Sequence, residues 1–116
     1  MQYLLMIYSE EGQWLTMTDA QKAQGLAAYS AYTEALNAAG VRVGSNRLRN
    51  TDTATSVKIV NGETKVLDGP YAETKEQLAG YYLIDVPDLD SALSWAARCP
   101  GASYGTIELR PIWEIY

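Results

Sequence analysis

Among the residues able to do chemistry, the densest group stands at one turn, Asp68-Gly69-Pro70-Tyr71, followed closely by Glu73 and Glu76. A carboxylate, a rigid turn and a phenol are set there between two strand-like runs, and loops held by a scaffold are where side chains are free to meet a ligand. Asp68 could act as a base, orient a ligand hydroxyl or help to hold a metal. It could equally accept hydrogen bonds from the amides of its own turn, a common use of Asp before Gly or Pro. Tyr71 offers a ligand its hydroxyl or, as packing, its ring. Glu73 and Glu76 share one side of a helical turn and read as either a solvated face or an acid and base pair. Arg47, Arg49 and Arg110 are the candidate anion anchors, because a planar guanidinium takes a carboxylate with two parallel hydrogen bonds, with Arg110 read alternatively as an exposed strand residue paired with Glu108 or Glu114. Tyr8 completes the ligand-contacting set, with core or dimer packing as its alternative.

Composition removes much other chemistry. The 116 residues contain no histidine, so His-dependent triads and imidazole metal sites are closed, and a homo-oligomer of identical chains does not restore them. Catalysis would rest on carboxylates, tyrosines, arginines, lysines, backbone amides or an external cofactor; none of the residues calls for a cofactor. The lone Cys99 gives neither an internal disulfide nor a zinc site, and reads as a small buried packing residue. A formal charge of −5 with nine Lys and Arg argues against direct nucleic-acid binding, which draws on basic residues that displace counterions. The opening Met1–Tyr8 run has no basic region before it and is a strand rather than a signal peptide. No run is long enough to cross a membrane. A cytoplasmic location is expected.

The turn also carries a family likeness. Asp68-Gly69-Pro70-Tyr71 resembles the Asp-Gly-Pro-Phe signature of the YCII-related (DGPF-type) proteins, with Tyr for Phe, and the run Ala72-Glu73-Thr74-Lys75-Glu76-Gln77-Leu78 and the aromatic strand after it are similar to the same family. The resemblance extends from Met1-Gln2-Tyr3 to Arg110-Pro111-Ile112, so residues 1–116 are expected to form one domain. It implies a dimeric α+β barrel type of fold, in which sheets pack in pairs. It also implies association with alternative sigma factors of the extracytoplasmic-function type in a bacterial regulatory setting. Some members are thought to be enzymes that use a His and Asp pair on small, often carboxylated, products of aromatic degradation. With no His to carry over, that mechanism does not transfer.

The elements that must position these residues follow from periodicity. Met1 to Tyr8 is apolar on both alternating faces, as in a strand covered on both sides. Ser9 to Trp14 reads as a loop. Thr18-Asp19-Ala20-Gln21 matches a capping box, and Leu26, Tyr29, Tyr32, Leu36 and Ala39 form the stripe of a helix that Gly40 ends in a left-handed conformation. Val41 to Val43 is a strand, and Ser45 to Arg49 is either its bent continuation or a second piece. Asn61-Gly62 joins Thr55–Val60 to Glu63–Leu67 in a type I′ hairpin, with Val57 opposite Val66 and Ile59 opposite Thr64 facing inward and Lys58 and Lys65 toward water. Thr74 to Leu78 reads as a helical turn before the strand Tyr81 to Val86. Asp88 caps a helix buried through Leu89, Ala92, Leu93 and Ala96, which Pro100 and Gly101 stop. Thr106 to Tyr116 forms a last strand, with Ile107, Leu109, Trp113 and Ile115 on one face, that lies at an edge or bends at Pro111.

This order fits a ferredoxin-like βαββαβ arrangement with an inserted hairpin, its helices on one face of an antiparallel sheet. A homodimer is expected to cover the other face. Two functions stay open. The absence of histidine favours a homodimeric module that binds a small ligand, such as a carboxylate, or that regulates. The alternative is a small-molecule enzyme of isomerase or lyase type with Asp68 as base and an arginine on the substrate carboxylate. Asp68 would then need its pKa raised by an apolar pocket.

Overall fold

The computed structural model describes residues 1–114. Its order is β1 (Gln2–Ser9), α1 (Glu11–Thr16), α2 (Asp19–Ala38), β2 (Arg42–Arg47), the hairpin β3 (Thr55–Val60) and β4 (Glu63–Asp68), β5 (Gln77–Asp85), α3 (Leu89–Arg98) and β6 (Thr106–Pro111). Short 3₁₀ turns at Thr51–Thr53 and Pro100–Ser103 join the longer elements. The fold is α+β. Four strands form one antiparallel sheet in the order β2-β5-β1-β6, and β3 and β4 pair only with each other.

The expected barrel type is therefore corrected. The sheet is open: β2 and β6 each pair on one side only, and the hairpin stands apart as a second sheet instead of extending the first. Closure needs strands that continue around to meet the opposite edge. Here the ladder stops at β6, which ends on Pro111 with no amide hydrogen to donate, and at β2, after which the chain turns away through Thr51–Thr53.

The core lies between the sheet and the two longer helices. Tyr3, Leu5 and Ile7 of β1 and Tyr82 and Ile84 of β5 meet Tyr32 and Leu36 of α2 and Ala92 and Ala96 of α3, with Cys99 closing one end. Tyr32 and Tyr82 cross edge to face at 5.3 Å between ring centroids, and the Tyr32 hydroxyl donates to the Trp95 carbonyl at 2.7 Å. The strand β1 is covered on one face only, since Leu4, Met6 and Tyr8 alternate with the buried residues and stay partly exposed. The expectation of cover on both sides fails within the chain.

Local chemistry explains where the elements begin and end. The capping box is present in both directions: Gln21 N–H donates to Thr18 Oγ1 at 3.1 Å, and Thr18 N–H donates to Gln21 Oε1 at 2.9 Å. Gly40 takes φ +70°. Asp88 caps α3 by accepting from Ser91 N–H at 2.8 Å. The hairpin has the expected register and a turn with positive φ at both Asn61 and Gly62.

Several boundaries differ from expectation. Ser9 to Trp14 is not all loop, because α1 forms from Glu11; β2 is one strand, kinked by a register shift between Arg42 and Gly44. Thr74 to Leu78 makes no helical turn, and β5 begins already at Gln77, where sheet pairing to Ser9 outweighs local helical preference. Leu89 and Leu93 are half exposed, and β6 stops at Pro111 with Trp113 exposed. Ile115 and Tyr116 lie outside the described residues. The largest departure is the hairpin, whose supposed inward residues Val57, Ile59 and Val66 are 65%, 70% and 64% exposed.

Candidate functional site

The main concavity opens between α1, the first half of α2 and the β2–β5 edge of the sheet. Its volume is about 440 Å³, within the range of small-molecule sites. Trp14, Leu26, Tyr29, Tyr82 and Tyr104 give it an apolar and aromatic lining, and Glu10, Glu11, Arg47 and Arg49 bring charge.

The chain builds this wall from short-range rules. Once β1 ends at Ser9, one and a half turns of α1 carry Trp14 back toward α2, and the Met17 N–H closes the helix on the Trp14 carbonyl at 3.2 Å. Gly25 presents no side chain there, so the Trp14 ring lies against the helix, 3.6 Å from where a Cβ would stand. Glu11 fastens α1 to the far wall: its carboxylate accepts from Thr51 N–H at 2.6 Å and Thr51 Oγ1 at 2.9 Å, and its own N–H donates to Gln77 Oε1 at 3.0 Å. Glu10 is less engaged, accepting from Gln13 Nε2 at 3.2 Å with Lys75 Nζ at 3.9 Å.

Arg47 ends β2 opposite Gly80, and its guanidinium lies over the Trp14 ring at 4.7 Å from the centroid. The close pairing at this point requires Gly80, since a Cβ there would come within 2.8 Å of the Asn46 carbonyl oxygen. At the floor, Tyr29 is held neutral: burial first, and then its hydrogen bond with Tyr104, push the phenol above its ordinary range. The Cys99 thiol approaches the Tyr29 hydroxyl at 4.0 Å and is itself pushed up by burial. Neither group is a ready nucleophile, because each is stabilised in its protonated form.

The residues singled out in the sequence fall into four places. Arg47 and Arg49 line the cleft. Tyr8 and Arg110 lie on the opposite, uncovered face of the sheet, where Tyr8 donates to Glu108 Oε1 at 3.4 Å, and burial followed by the Glu108 charge raises its phenol. Asp68, Tyr71 and Glu73 stand at the root of the hairpin, all exposed, with Tyr71 at 92%. The turn there is held by backbone: Gly69, at φ +122°, donates to the Ala54 carbonyl at 2.7 Å and accepts from Ser56 Oγ at 2.8 Å. Glu76 accepts from Thr106 Oγ1 at 2.8 Å, tying the start of β5 to β6. Trp14, Glu11 and Gly25 have no signal in a linear reading beyond an aromatic in an acidic segment and a glycine inside a helix pattern. Among the described residues, no group of three or more Cys, Asp or Glu stands close enough to hold a metal ion, and no helix is long and apolar enough to cross a membrane.

Comparison with known proteins places the whole chain. The model of the YCII-related domain matches residues 1–116. An uncharacterised protein of Rhizobium meliloti is 39% identical over 118 residues, covering 97% of this chain and 92% of that protein. Among solved structures, the 5-chloro-2-hydroxyhydroquinone dehydrochlorinase of Burkholderia phenoliruptrix, in complex with 2,5-dihydroxybenzoquinone, aligns with a TM-score of 0.58 at 14% identity. That alignment covers 97% of this chain and 94% of the other, a likeness of fold.

Proposed function

Because the chain belongs to the YCII-related family, we propose that it is a small-molecule enzyme of isomerase or lyase type, working on a small aromatic or enolic anion in the cleft between α1, α2 and the sheet. The observation that carries this reading is the Arg47 guanidinium laid over Trp14 at the wall of a 440 Å³ aromatic cleft. Stacking fixes the guanidinium plane while leaving its N–H donors free for a carboxylate or phenolate oxygen. The aromatic lining suits a flat ligand and excludes water around the ion pair, where it is worth more. The dehydrochlorinase that shares this fold, bound to a dihydroxybenzoquinone, supports a ligand of this kind. It favours the enzyme over the binding or regulatory module.

The role of base moves in this reading. Asp68 stands on the exposed hairpin root, outside the cleft, and Glu11 is committed to Thr51. Glu10, held only by Gln13 Nε2 and a more distant Lys75 ammonium, is the carboxylate left to accept a proton from a bound ligand. A histidine is not required, because a carboxylate beside an apolar wall can serve as base once a ligand displaces water.

The test is titration calorimetry with benzoate and with 2,5-dihydroxybenzoquinone on wild type, Arg47→Ala, Glu10→Gln and Asp68→Asn. Saturable binding by wild type, weakened at least about tenfold in Arg47→Ala, is expected for a lost charge-assisted contact. Glu10→Gln should bind while losing any turnover, and Asp68→Asn should bind and turn over like the wild type. Equal binding by Arg47→Ala removes the cleft from consideration. We propose further that the working unit is a homodimer, supported by the uncovered apolar face of β1.

A further inference from the structure

We propose that the β3–β4 hairpin is a docking arm for a second copy of this chain, laid by its apolar face on the partner's uncovered sheet. The inference deepens the homodimer just proposed and rests on it, by naming the surface that makes the dimer. Every residue of the two strands is exposed apart from Ser56. Yet one face is built to be buried. Val57, Val66 and Ile59 lie together on it, and a contiguous exposed apolar face is the pattern of a sheet that packs against something. The other face holds Val60 and Leu67 but is broken by the opposed pair Lys58 and Lys65, with Glu63 bonded to Lys65 at 2.9 Å. Charges of that sort keep a face in water and discourage open-ended stacking.

Shape points the same way. The radius of gyration is 16.2 Å, against about 13 Å for a compact chain of this length. An arm held away from its own core, with no apolar cover, has its free energy minimum against another molecule. The chain itself holds a matching surface. Leu4, Met6, Tyr81 and Leu83 form a partly exposed apolar centre on the bare side of the sheet, opposite the helices, and Arg110 shares that side. Asp68, at the foot of the apolar face of the arm, is opposite in charge to Arg110. A two-fold axis uses each patch twice, once per subunit. The hairpin, the Gly69 to Tyr71 turn and the bare sheet together supply the roughly 20 to 30 residues a side found in stable interfaces. The fully exposed Tyr71 ring would gain cover in the same step.

The experiment is sedimentation velocity of the full chain across a micromolar concentration series, on wild type, Val57→Asp with Val66→Asp, and Lys58→Glu. Because Val57 and Val66 already face solvent in the single chain, the double variant should keep the wild-type circular dichroism. Wild type and Lys58→Glu should be dimers, and the double variant a monomer, with dissociation weakened at least about 30-fold, the size of a hot-spot loss. Were the double variant to lose its fold, Ile59→Asp alone would serve. A double variant as dimeric as wild type overturns the arm while leaving the homodimer standing. A monomeric wild type overturns both, and with them the choice of a second copy over a different protein partner.

Discussion

Arg47 and Trp14 define each other. A lone arginine at a strand end would be a solvated charge, and a lone tryptophan in a short acidic helix would be a surface aromatic; stacked at 4.7 Å they become an oriented anion donor. Removing the ring should therefore weaken anion binding without removing the charge. Trp14→Ala is expected to lower benzoate affinity by about two- to fivefold, the value of a partly exposed cation and ring pair, and Trp14→Phe by less. Calorimetry on the two variants checks this, and unchanged affinity in Trp14→Ala would mean the ring does not position Arg47. Linear reading identified Arg47 as an anchor by its chemistry. It did not reach Trp14, because nothing in the spacing of residues 14 and 47 shows that a helix start and a strand end meet. Asp68 shows the converse, being conspicuous in sequence while standing outside the cleft.

At the scale of elements, the pieces with self-contained signals formed as expected. The Thr18 capping box, the Asp88 cap, Gly40 and the Asn61-Gly62 turn each depend on four or five neighbouring residues. Thr18→Ala should cost about 1 kcal/mol in urea unfolding, the usual value of a lost N-cap. Thr18 itself does not line the cleft, so the same substitution should lower ligand affinity far less than Arg47→Ala. The elements that departed from expectation are governed from a distance. Local composition disfavours a strand at Gln77, yet its pairing with Ser9 and the shift between Ile7 and Tyr8 carry β5 that far. Likewise Gly80 reads as a weak point in a strand but is required by the Asn46 carbonyl across the ladder. Gly80→Val should destabilise more than Thr18→Ala, since backbone and not a flexible side chain would have to yield.

For the whole molecule, the titrating groups make a prediction with a definite sign. Burial raises the Cys99 thiol and the Tyr29, Tyr32 and Tyr82 phenols, so the native chain keeps protons that the unfolded chain releases. Their contribution is full below the unfolded-state values of 9.0 and 10.0 and falls as pH rises past them. Asp88 acts in the other direction: hydrogen bonds from Ser91 lower its pKa, so its contribution holds above the ordinary carboxylate value and fades as pH drops through the lowered one. With no histidine, thermal stability should be nearly flat from about pH 6 to 8 and should decline from about pH 9 upward. A melting series over that range, with Tyr29→Phe reducing the alkaline slope, checks it. A midpoint that rises between pH 9 and 10.5 would contradict the burial of these groups.

The family is legible in the residues alone, through Asp68-Gly69-Pro70-Tyr71 and its surroundings, and so is the α+β class, through strand and helix periods that are properties of the backbone. The hairpin register is legible as well, since a two-residue turn leaves one way to pair the strands. Composition closes histidine chemistry, because folding cannot change it. Long-range packing set the rest: the sheet stays open, the hairpin leaves the core, and Trp14, Glu11, Arg47 and Tyr29 line one cleft. These outcomes depend on which distant segments share a ladder and which apolar faces find cover. Such contacts are set by the free energy of the whole packed chain, and alternation along a strand says that a face is apolar without saying what will bury it.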